Sequence, residues 1–310
     1  MKMHLSTISA PEDVKSLGIS QLEELAEEVR QKIIDVCLTN KTGHLAPSLG
    51  ATDIIVALLK VFDLEKDKLL FDISHMAYSF KILTEKSRPA AFDTLRQLGG
   101  ISGFSTRGES KYDIFTEGHA GKSIAEALGF AIGRDYLKRD FHVVVVIGDG
   151  GLTSGMALES LNMLGYRKHK KVIVLLNENG MSISSNVGAL SVHFARARLN
   201  PVYVDIKTAA RSLLADVPFG EEIKERIERG KDKFKSIVPG MDGTDGTRDF
   251  FEYLGFEYIG VLDGHSIADM VEVFKLAKDY DYKPVVIHVK TQKGKGYPPA
   301  EKDPTRFHGI

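Results

Sequence analysis

Asp149 and Asn179 are the residues whose types and spacing point most directly to chemistry. Asp149 lies in Gly148-Asp149-Gly150-Gly151, directly after the apolar run 143–147, and Asn179 follows a second apolar run, 172–176. A carboxylate and an amide oxygen suit Mg²⁺, which prefers oxygen ligands and shares them with phosphates. Glycines beside the carboxylate let the backbone come close to a bulky anion. The pair therefore predicts a metal-bridged diphosphate site, with an ordinary glycine-rich turn in an α/β protein as the alternative.

The elements that would hold these two residues form one strand–helix–strand unit. Each apolar run has the length of a buried strand, and a helix is predicted over about 154–166 between them. Parallel strands present ligands at their carboxyl ends, so both polar tips should face one crevice. The N-terminus of the intervening helix should add unpaired N–H groups at the same place.

Three further apolar runs, 69–72, 256–261 and 284–289, alternate with predicted helices. This alternation is typical of the α/β class, and we expect a parallel sheet with helices on both faces. Residues 94–117 are rich in glycine and are predicted to form a loop over the sheet edge. Gly118-His119-Ala120 should then lead into a helix of small residues.

The first 40 residues are predicted to form a helical arm. Ser20 and Glu23 have the spacing of a capping box, which indicates a helix from Ser20 to about residue 39. A loop is expected at 43–48 and a mostly apolar helix at 52–62. The buried face of the first helix should contain Leu22, Leu25, Val29, Ile33 and Val36.

Composition excludes several classes of protein. The 310 residues are 43% hydrophobic and 27% charged, the balance of a globular chain with a sizeable core. The net charge of −1 gives no indication of a nucleic-acid or membrane partner. No apolar run approaches the roughly 18 residues of a membrane span, and the N-terminus lacks a signal peptide. The single cysteine, Cys37, is predicted to be a buried structural thiol, which fits a cytoplasmic location.

The polar residues that follow the two apolar runs match a known pattern. Gly148-Asp149-Gly150, followed one strand–helix–strand unit later by Asn177-Glu178-Asn179, resembles the thiamine-diphosphate signature of transketolase-like enzymes. Within that group, almost the whole chain is most similar to the 1-deoxy-D-xylulose-5-phosphate synthase family. The matching stretches are GHLAPSLG (43–50), TLRQLGGISGF (94–104), GDGGLTSGMALESLN (148–162), LNENGMSISSNVGALS (176–191), LDGHS (262–266) and TQKGKGYPPAEKDPTRFHG (291–309).

The resemblance implies a fold, two cofactors and a reaction. Residues 1–310 would form a single thiamine-diphosphate-binding domain of the type that grips the diphosphate (PP-type), with a mobile insertion at about 186–247. The cofactors would be thiamine diphosphate and Mg²⁺. The implied transferase reaction joins pyruvate and glyceraldehyde 3-phosphate into 1-deoxy-D-xylulose 5-phosphate and CO₂, and it serves isoprenoid and thiamine biosynthesis.

The resemblance also assigns roles to individual residues. Mg²⁺ would be held by the side chains of Asp149 and Asn179 and by the backbone carbonyl of Met181. His44 would lie beside the thiazolium ring and handle protons of sugar hydroxyls, a role that suits a pKa near neutrality. His308 would line the sugar pocket, and we expect it to be loosely held so close to the last residue. Cofactor contacts are implied for His75, Gly118, His119, Ala120, Gly150, Gly151, Asn179, Met181, Lys293 and Tyr297.

The sequence departs from the family pattern at a few positions. Beside His75, Ser74 replaces a glycine and Phe71 stands where tryptophan is common. Lys122 stands where the family usually carries a small hydroxyl residue, and it would either point to solvent or add a phosphate contact. Gly121-Lys122-Ser123 ends like a P-loop, but Thr116 stands where that motif requires glycine, which excludes a nucleoside triphosphatase.

Three hypotheses follow from the family's domains that have no counterpart in this sequence. The family's pyrimidine-binding domain, whose glutamate activates the cofactor, and its carboxyl-terminal domain are expected to be absent from residues 1–310. The chain would then be the diphosphate-binding half of a synthase, active only with a second chain or domain in a homodimer or hetero-tetramer. The alternatives are the N-terminal subunit of a split transketolase-like enzyme that transfers a two-carbon ketol unit, and a non-catalytic cofactor-binding or regulatory protein.

Overall fold

The structure, a computed structural model, describes residues 4–84, 91–181, 188 and 247–310. The insertion expected at about 186–247 lies outside the described residues, apart from Gly188 and Thr247. Among the described residues, no helix combines the length and the apolar character that crossing a membrane requires.

Five parallel strands form one sheet in the described part of the chain, in the spatial order β1-β2-β3-β5-β4. All five apolar runs that the sequence predicts as strands are present. The third strand ends two residues later than predicted, so that Asn177 and Glu178 are still paired with the neighbouring strand. The strands are β1 (Lys68–Phe71), β2 (Val143–Gly148), β3 (Val172–Glu178), β4 (Glu257–Asp263) and β5 (Val285–Lys290).

Helices precede, separate and follow these strands, with short 3₁₀ turns at Leu5–Thr7 and Phe92–Thr94. Residues 95–122 run without a helix or a strand, as the glycine-rich sequence of 94–117 predicts. The described α-helices are α1 (Pro11–Val14), α2 (Ile19–Asn40), α3 (Leu45–Gly50), α4 (Thr52–Val61), α5 (Tyr78–Leu83), α6 (Ser123–Tyr136), α7 (Asp149–Leu152), α8 (Gly155–Arg167), α9 (Thr247–Tyr253), α10 (Ile267–Asp279) and α11 (Pro298–Lys302).

The sheet has an apolar core on each face, which confirms helices on both sides. Along β2, Val144 and Val146 belong to one core, whereas Val143, Val145 and Ile147 belong to the other. The period of two follows from the alternation of side chains along a strand. The first core contains residues of α2, α4 and α10, and the second contains residues of α6, α8 and α9. A strand buried on both faces reads as a continuous apolar run, which is why β2 and β3 are recognisable in the sequence.

Two local predictions are wrong. The capping box at Ser20 and Glu23 is absent, because α2 begins at Ile19 and the N–H of Gly18 donates to Gln21 Oε1 at 2.8 Å. The five apolar residues predicted for its buried face are nevertheless all buried. The loop predicted at 43–48 is mostly helix α3, and Pro47 fits there because N–H groups in a first turn have no partner within the helix.

The last residues of the chain are held against the start of α3. The N–H of Ala46 donates to the Phe307 carbonyl at 2.9 Å, and the N–H of Ile310 donates to the Gly43 carbonyl at 3.0 Å. Two backbone hydrogen bonds on either side of His308 fix its position. The expectation of a loosely held His308 is therefore wrong for this fold.

Candidate active site

The two polar tips adjoin at the carboxyl edge of the sheet. Asp149 follows β2 and is buried, with 5% of its surface exposed. Its Oδ1 accepts the N–H of Gly150 at 2.9 Å, and its Oδ2 accepts the N–H of Gly180, just beyond β3, also at 2.9 Å. A single hydrogen bond thus joins Asp149 to the turn that carries Asn179. The two lie close together because β2 and β3 are adjacent parallel strands whose last residues are in register.

The turn after β3 is compact and polar. Asn179 Oδ1 accepts the N–H of Met181 at 3.1 Å, the short-range bond that asparagine commonly makes in turns. Gly180 between them has a φ of 72°, a left-handed conformation that favours glycine. The three residues predicted as metal ligands, Asp149, Asn179 and Met181, therefore lie together, with oxygen atoms as their available ligands.

Three histidines cluster at the same edge of the sheet. The ring of His44 lies 5.9 Å from the ring of His75 and 6.0 Å from that of His308, and the rings of His75 and His308 are 5.5 Å apart. Phe104 lies 5.1 Å from His44 and closes one side of the cluster. The N–H of His44 donates to Tyr78 Oη at 3.0 Å, which anchors the residue at the start of α3.

Burial keeps all three imidazoles neutral. It lowers the pKa of His44 to about 4, and the nearby Arg96 and His308 lower it further. Burial lowers the pKa of His75 to about 3 and the pKa of His308 to about 4. The sequence predicts a His44 that titrates near neutrality, whereas in the structure it is an uncharged imidazole at pH 7. Arg96, which contributes to this shift, is a residue that the sequence reading missed.

The loop of Gly118, His119 and Ala120 is exposed and precedes α6 by several residues. Its base is held by Asp72, which follows β1 and was not predicted. Asp72 accepts the N–H of Gly121 at 2.8 Å and the hydroxyl of Ser123 at 2.9 Å. Burial raises the pKa of Asp72, while these hydrogen bonds oppose the rise. The loop is thus fixed at its base and open at its tip.

The glycines of the turn after β2 differ in their surroundings. Gly150 is partly exposed beside Asp149. Gly151 is buried, and a Cβ there would overlap Asp72 Oδ2. Position 151 therefore requires glycine because the side chain of Asp72, a carboxylate of the protein itself, lies so close to it. The predicted contacts of Gly150 and Gly151 with a diphosphate remain predictions.

Lys293 and Tyr297 lie in the segment that follows β5. Lys293 is 6% exposed, and burial lowers its pKa to about 8 against the opposing charge of Asp149. Lys293 therefore lies within electrostatic reach of Asp149, in the same crevice as the histidines. The ring of Tyr297 packs edge-on against Phe307, with 5.6 Å between the ring centroids.

Lys122 lies between two carboxylates. Its Nζ is 3.0 Å from Glu117 Oε2 and 2.7 Å from Glu126 Oε1. This arrangement differs from both expectations for Lys122, a solvent-facing side chain or an added phosphate contact, because its charge is neutralised within the chain. Burial raises the pKa of the Glu117 carboxyl to about 7, with Glu126 adding to the rise and Lys122 opposing it.

Replacing Glu117 with glutamine is expected to stabilise the chain in a pH-dependent way. The carboxyl ionises near pH 4.5 when unfolded and near 7 when folded, so the destabilisation by an ionised Glu117 appears above pH 4.5 and is complete above pH 7. Because Glu117 is only partly buried, solvent screening reduces the energy that this shift implies, and we expect a gain of about 2 kcal/mol at pH 8 and under half of that at pH 5. Urea unfolding at both pH values measures the gain.

Glu159→Gln, which removes an exposed carboxylate on α8, is the matched control for Glu117→Gln. It should change the free energy of unfolding by less than about 0.5 kcal/mol at either pH. A gain from Glu117→Gln that is equal at pH 5 and pH 8 would contradict the assignment of the raised pKa.

A buried polar cluster that begins at Glu178, next to Asn179, was also not predicted from the sequence. Glu178 Oε2 lies 3.0 Å from His288 Nε2, and His288 Nδ1 lies 2.8 Å from Tyr258 Oη. All three side chains are buried, and they connect the end of β3 with the interior of β5 and the start of β4. The available signal was the presence of His288 within the otherwise apolar run 284–289.

Comparisons with known proteins agree with this architecture. Residues 5–291 match a family model described as 1-deoxy-D-xylulose-5-phosphate synthase. The 1-deoxy-D-xylulose-5-phosphate synthase of Carboxydothermus hydrogenoformans is 49% identical over 308 residues, which are 99% of this chain and 47% of that protein. The enzyme of the same name from Clostridium beijerinckii is 45% identical over 307 residues, or 99% of this chain and 48% of that protein. The chain thus spans about half the length of the curated relatives it matches.

Two solved structures with the same fold are transketolases. That of Campylobacter jejuni superposes with a TM-score of 0.67 at 22% identity, covering 95% of this chain and 41% of its own. That of Leishmania mexicana gives a TM-score of 0.65 at 20% identity, covering 93% of this chain and 39% of its own. These likenesses show the thiamine-diphosphate-binding α/β fold, which confirms the predicted fold class. Together with the family match, they establish that the chain belongs to the 1-deoxy-D-xylulose-5-phosphate synthase family.

Proposed function

We propose that this chain forms the diphosphate- and Mg²⁺-binding half of a 1-deoxy-D-xylulose-5-phosphate synthase. The complete enzyme would join pyruvate and glyceraldehyde 3-phosphate, releasing CO₂. The main support is the hydrogen bond of 2.9 Å between Asp149 Oδ2 and the N–H of Gly180, because it brings two oxygen-bearing strand ends to one place. The comparisons favour neither the split transketolase-like enzyme nor the non-catalytic protein.

The metal would be held by the side chains of Asp149 and Asn179 and the carbonyl of Met181. Within residues 4–84, 91–181 and 247–310, no three His, Cys, Asp or Glu side chains gather closely enough to hold an ion on their own. A set of one carboxylate, one amide and one backbone carbonyl is incomplete by itself. Such a set fits Mg²⁺, which commonly takes its remaining oxygen ligands from water and substrate phosphates.

The diphosphate would be held by the loops that surround Asp149. Gly118, His119 and Ala120 are exposed above a base fixed by Asp72. Apart from Gly118 and its two neighbours in the chain, no heavy atom of the described residues lies within 4 Å of a Cβ built on Gly118. Gly150, Gly151 and Tyr297 would complete the contacts. Lys293 would add the positive charge that a diphosphate next to a carboxylate requires. In this arrangement the loop tip and the Lys293 ammonium would both contact the anion.

His75 would contact the cofactor, while His44 and His308 would act on the sugar. The Nδ1 atoms of His75 and His308 are buried and have no hydrogen-bond partner among the described residues. Buried polar atoms of this kind are rare without a ligand or water. Bound thiamine diphosphate supplies the nucleophilic carbon and the electron sink of the reaction. His44, neutral at pH 7, can accept or donate a proton at a sugar hydroxyl within hydrogen-bond reach.

The remaining part of the site would come from a pyrimidine-binding domain in a second chain or in a longer form of this chain. The outer faces of α6 and α8 expose large apolar residues, which is typical of surfaces that bind another domain. A homodimer or a hetero-tetramer would provide such a partner. The exposed residues are Ile132, Tyr136, Met156 and Tyr166.

The proposal predicts that activity requires both halves. The lone chain should bind thiamine diphosphate with Mg²⁺ weakly in calorimetry, and it should release CO₂ from pyruvate only at background rate. Adding a polypeptide with the pyrimidine-binding and carboxyl-terminal domains of a related synthase should produce 1-deoxy-D-xylulose 5-phosphate. Full turnover by the lone chain would contradict the half-site proposal, and absence of cofactor binding would contradict the function itself.

A further inference from the structure

A network of hydrogen-bonded polar side chains lies beneath the segment that carries Lys293 and Tyr297. It begins in α2, where Arg30 is buried with 3% of its surface exposed. Arg30 Nη1 donates to Glu27 Oε1 at 2.5 Å, and Arg30 Nη2 pairs with Asp53 Oδ2 of α4. A buried guanidinium–carboxylate pair contributes little net stability compared with apolar residues, so its orientation of other groups is the more informative property.

The hydrogen-bond network continues from Asp53 through His265 to the backbone of Gln292. Asp53 Oδ2 lies 2.8 Å from His265 Nδ1, and His265 Nε2 lies 2.8 Å from the N–H of Gln292. A backbone N–H can only donate, so Nε2 must accept and the imidazole proton must be on Nδ1. Asp53 accepts the hydrogen bond from Nδ1–H and thereby selects the one neutral tautomer that can bind Gln292.

The held segment fits closely against α3. The N–H of Gly294 donates to the Ala46 carbonyl at 2.9 Å. A Cβ on Gly50 would lie 3.0 Å from the Gln292 carbonyl oxygen and 3.3 Å from Lys293 Cα. The segment is therefore supported from below by α3 and tied at Gln292 by His265. Since Gln292 directly precedes Lys293, any shift of its backbone moves the ammonium that lies within electrostatic reach of Asp149.

We propose that His265 is a positioning residue that fixes the backbone of Gln292 and so holds Lys293 in place beside Asp149. Asp53 and Arg30 set the tautomer and the orientation of the imidazole. The inference rests on the proposed function, because Lys293 is positioned for the diphosphate. It assigns a role to His265, Asp53 and Arg30, none of which contacts the predicted metal ligands in the hydrogen bonds of the described residues.

Two substitutions separate the two bonds of His265. In His265→Gln, the side-chain amide reaches the place of Nε2 and can still accept from Gln292. In His265→Asn, the shorter amide reaches the place of Nδ1 and can donate to Asp53, but it cannot reach Gln292. Ser266→Ala is the matched control, since it removes the N-cap of α10 in the same turn without touching Gln292.

Hydrogen exchange of a peptide covering 291–297, measured without cofactor, should be about tenfold faster in His265→Asn and near wild type in the other two variants. Calorimetry with thiamine diphosphate and Mg²⁺ should give a dissociation constant about tenfold higher for His265→Asn alone, the size of effect that groups supporting a ligand site commonly have.

The possible outcomes test the positioning role and the proposed function separately. Unchanged exchange in His265→Asn overturns the inference, and so does faster exchange with unchanged cofactor affinity, which would make the bond merely structural. A loss in Ser266→Ala as large as in His265→Asn also overturns it. If the wild-type chain binds no cofactor, the proposed function fails and the positioning role fails with it, whereas wild-type binding with no loss in His265→Asn defeats the inference alone.

Discussion

Replacing Asp149 with alanine is expected to abolish Mg²⁺-dependent binding of thiamine diphosphate. Asp149 accepts a hydrogen bond from the Asn179 turn, and this bond from Gly180 to its Oδ2 shows how closely the two strand ends meet. Without it, a metal there would keep one amide and one backbone carbonyl, both uncharged. Loss of a supporting group commonly weakens metal binding 10- to 100-fold, so loss of this ligand should raise the dissociation constant at least ~100-fold.

The same substitution should affect stability only moderately. The N–H groups of Gly150 and Gly180 would lose their acceptor, which costs about 1–3 kcal/mol when the groups are buried and less when they reach water. Both residues are partly exposed, so the lower end of that range is expected. A variant that is folded and no longer binds the cofactor therefore separates the two effects.

Calorimetry with and without Mg²⁺ measures this prediction, and circular dichroism verifies the fold of the variant. Asp63→Ala is the matched control, because Asp63 also accepts a neighbouring backbone N–H, that of Glu65, but it precedes β1 at the opposite edge of the sheet. Asp63→Ala should bind like wild type. A dissociation constant for Asp149→Ala within threefold of wild type would rule out Asp149 as a metal ligand.

The parts of the fold that the sequence predicts are those with a local cause. β2 and β3 are apolar runs because both faces of the sheet are covered, and their polar tips follow because ligands sit at the carboxyl ends of parallel strands. The meeting of Asp149 with the Asn179 turn could therefore be expected before any coordinates. The start of α2 was misplaced because a capping-box spacing is common, while glycine as an N-cap gives little signal.

The residues that support the site could not be predicted, because their partners are far away in sequence. Asp72 binds Gly121 across 49 residues, and His265 binds Asp53 across 212. The pKa of His44 was also out of reach, since its fall to about 4 comes mainly from burial by tertiary packing. Local pattern indicates which residues could do chemistry, whereas their electrostatic state depends on contacts that only the fold creates.

Replacing His288 with leucine is expected to destabilise the chain by about 3 kcal/mol, because a buried polar group left without its partner costs about 1–3 kcal/mol and a charged one more. Glu178 Oε2 would lose its partner in the middle of the sheet, and Tyr258 Oη would lose the ring nitrogen it contacts. Ile287→Val, a small apolar change on the neighbouring position of β5, should cost only about 0.5–1.5 kcal/mol. Urea unfolding followed by circular dichroism measures both.

A double substitution shows whether the loss comes from the unpaired carboxylate. In Glu178→Leu/His288→Leu both polar partners are replaced by apolar groups, and such replacements are often close to neutral. The double variant should therefore regain at least about 1 kcal/mol of unfolding free energy relative to His288→Leu. Because residues 178 and 288 are in contact, the effects of the two substitutions are not expected to add. A double variant less stable than His288→Leu would mean that packing, rather than the unpaired carboxylate, dominates at this strand end.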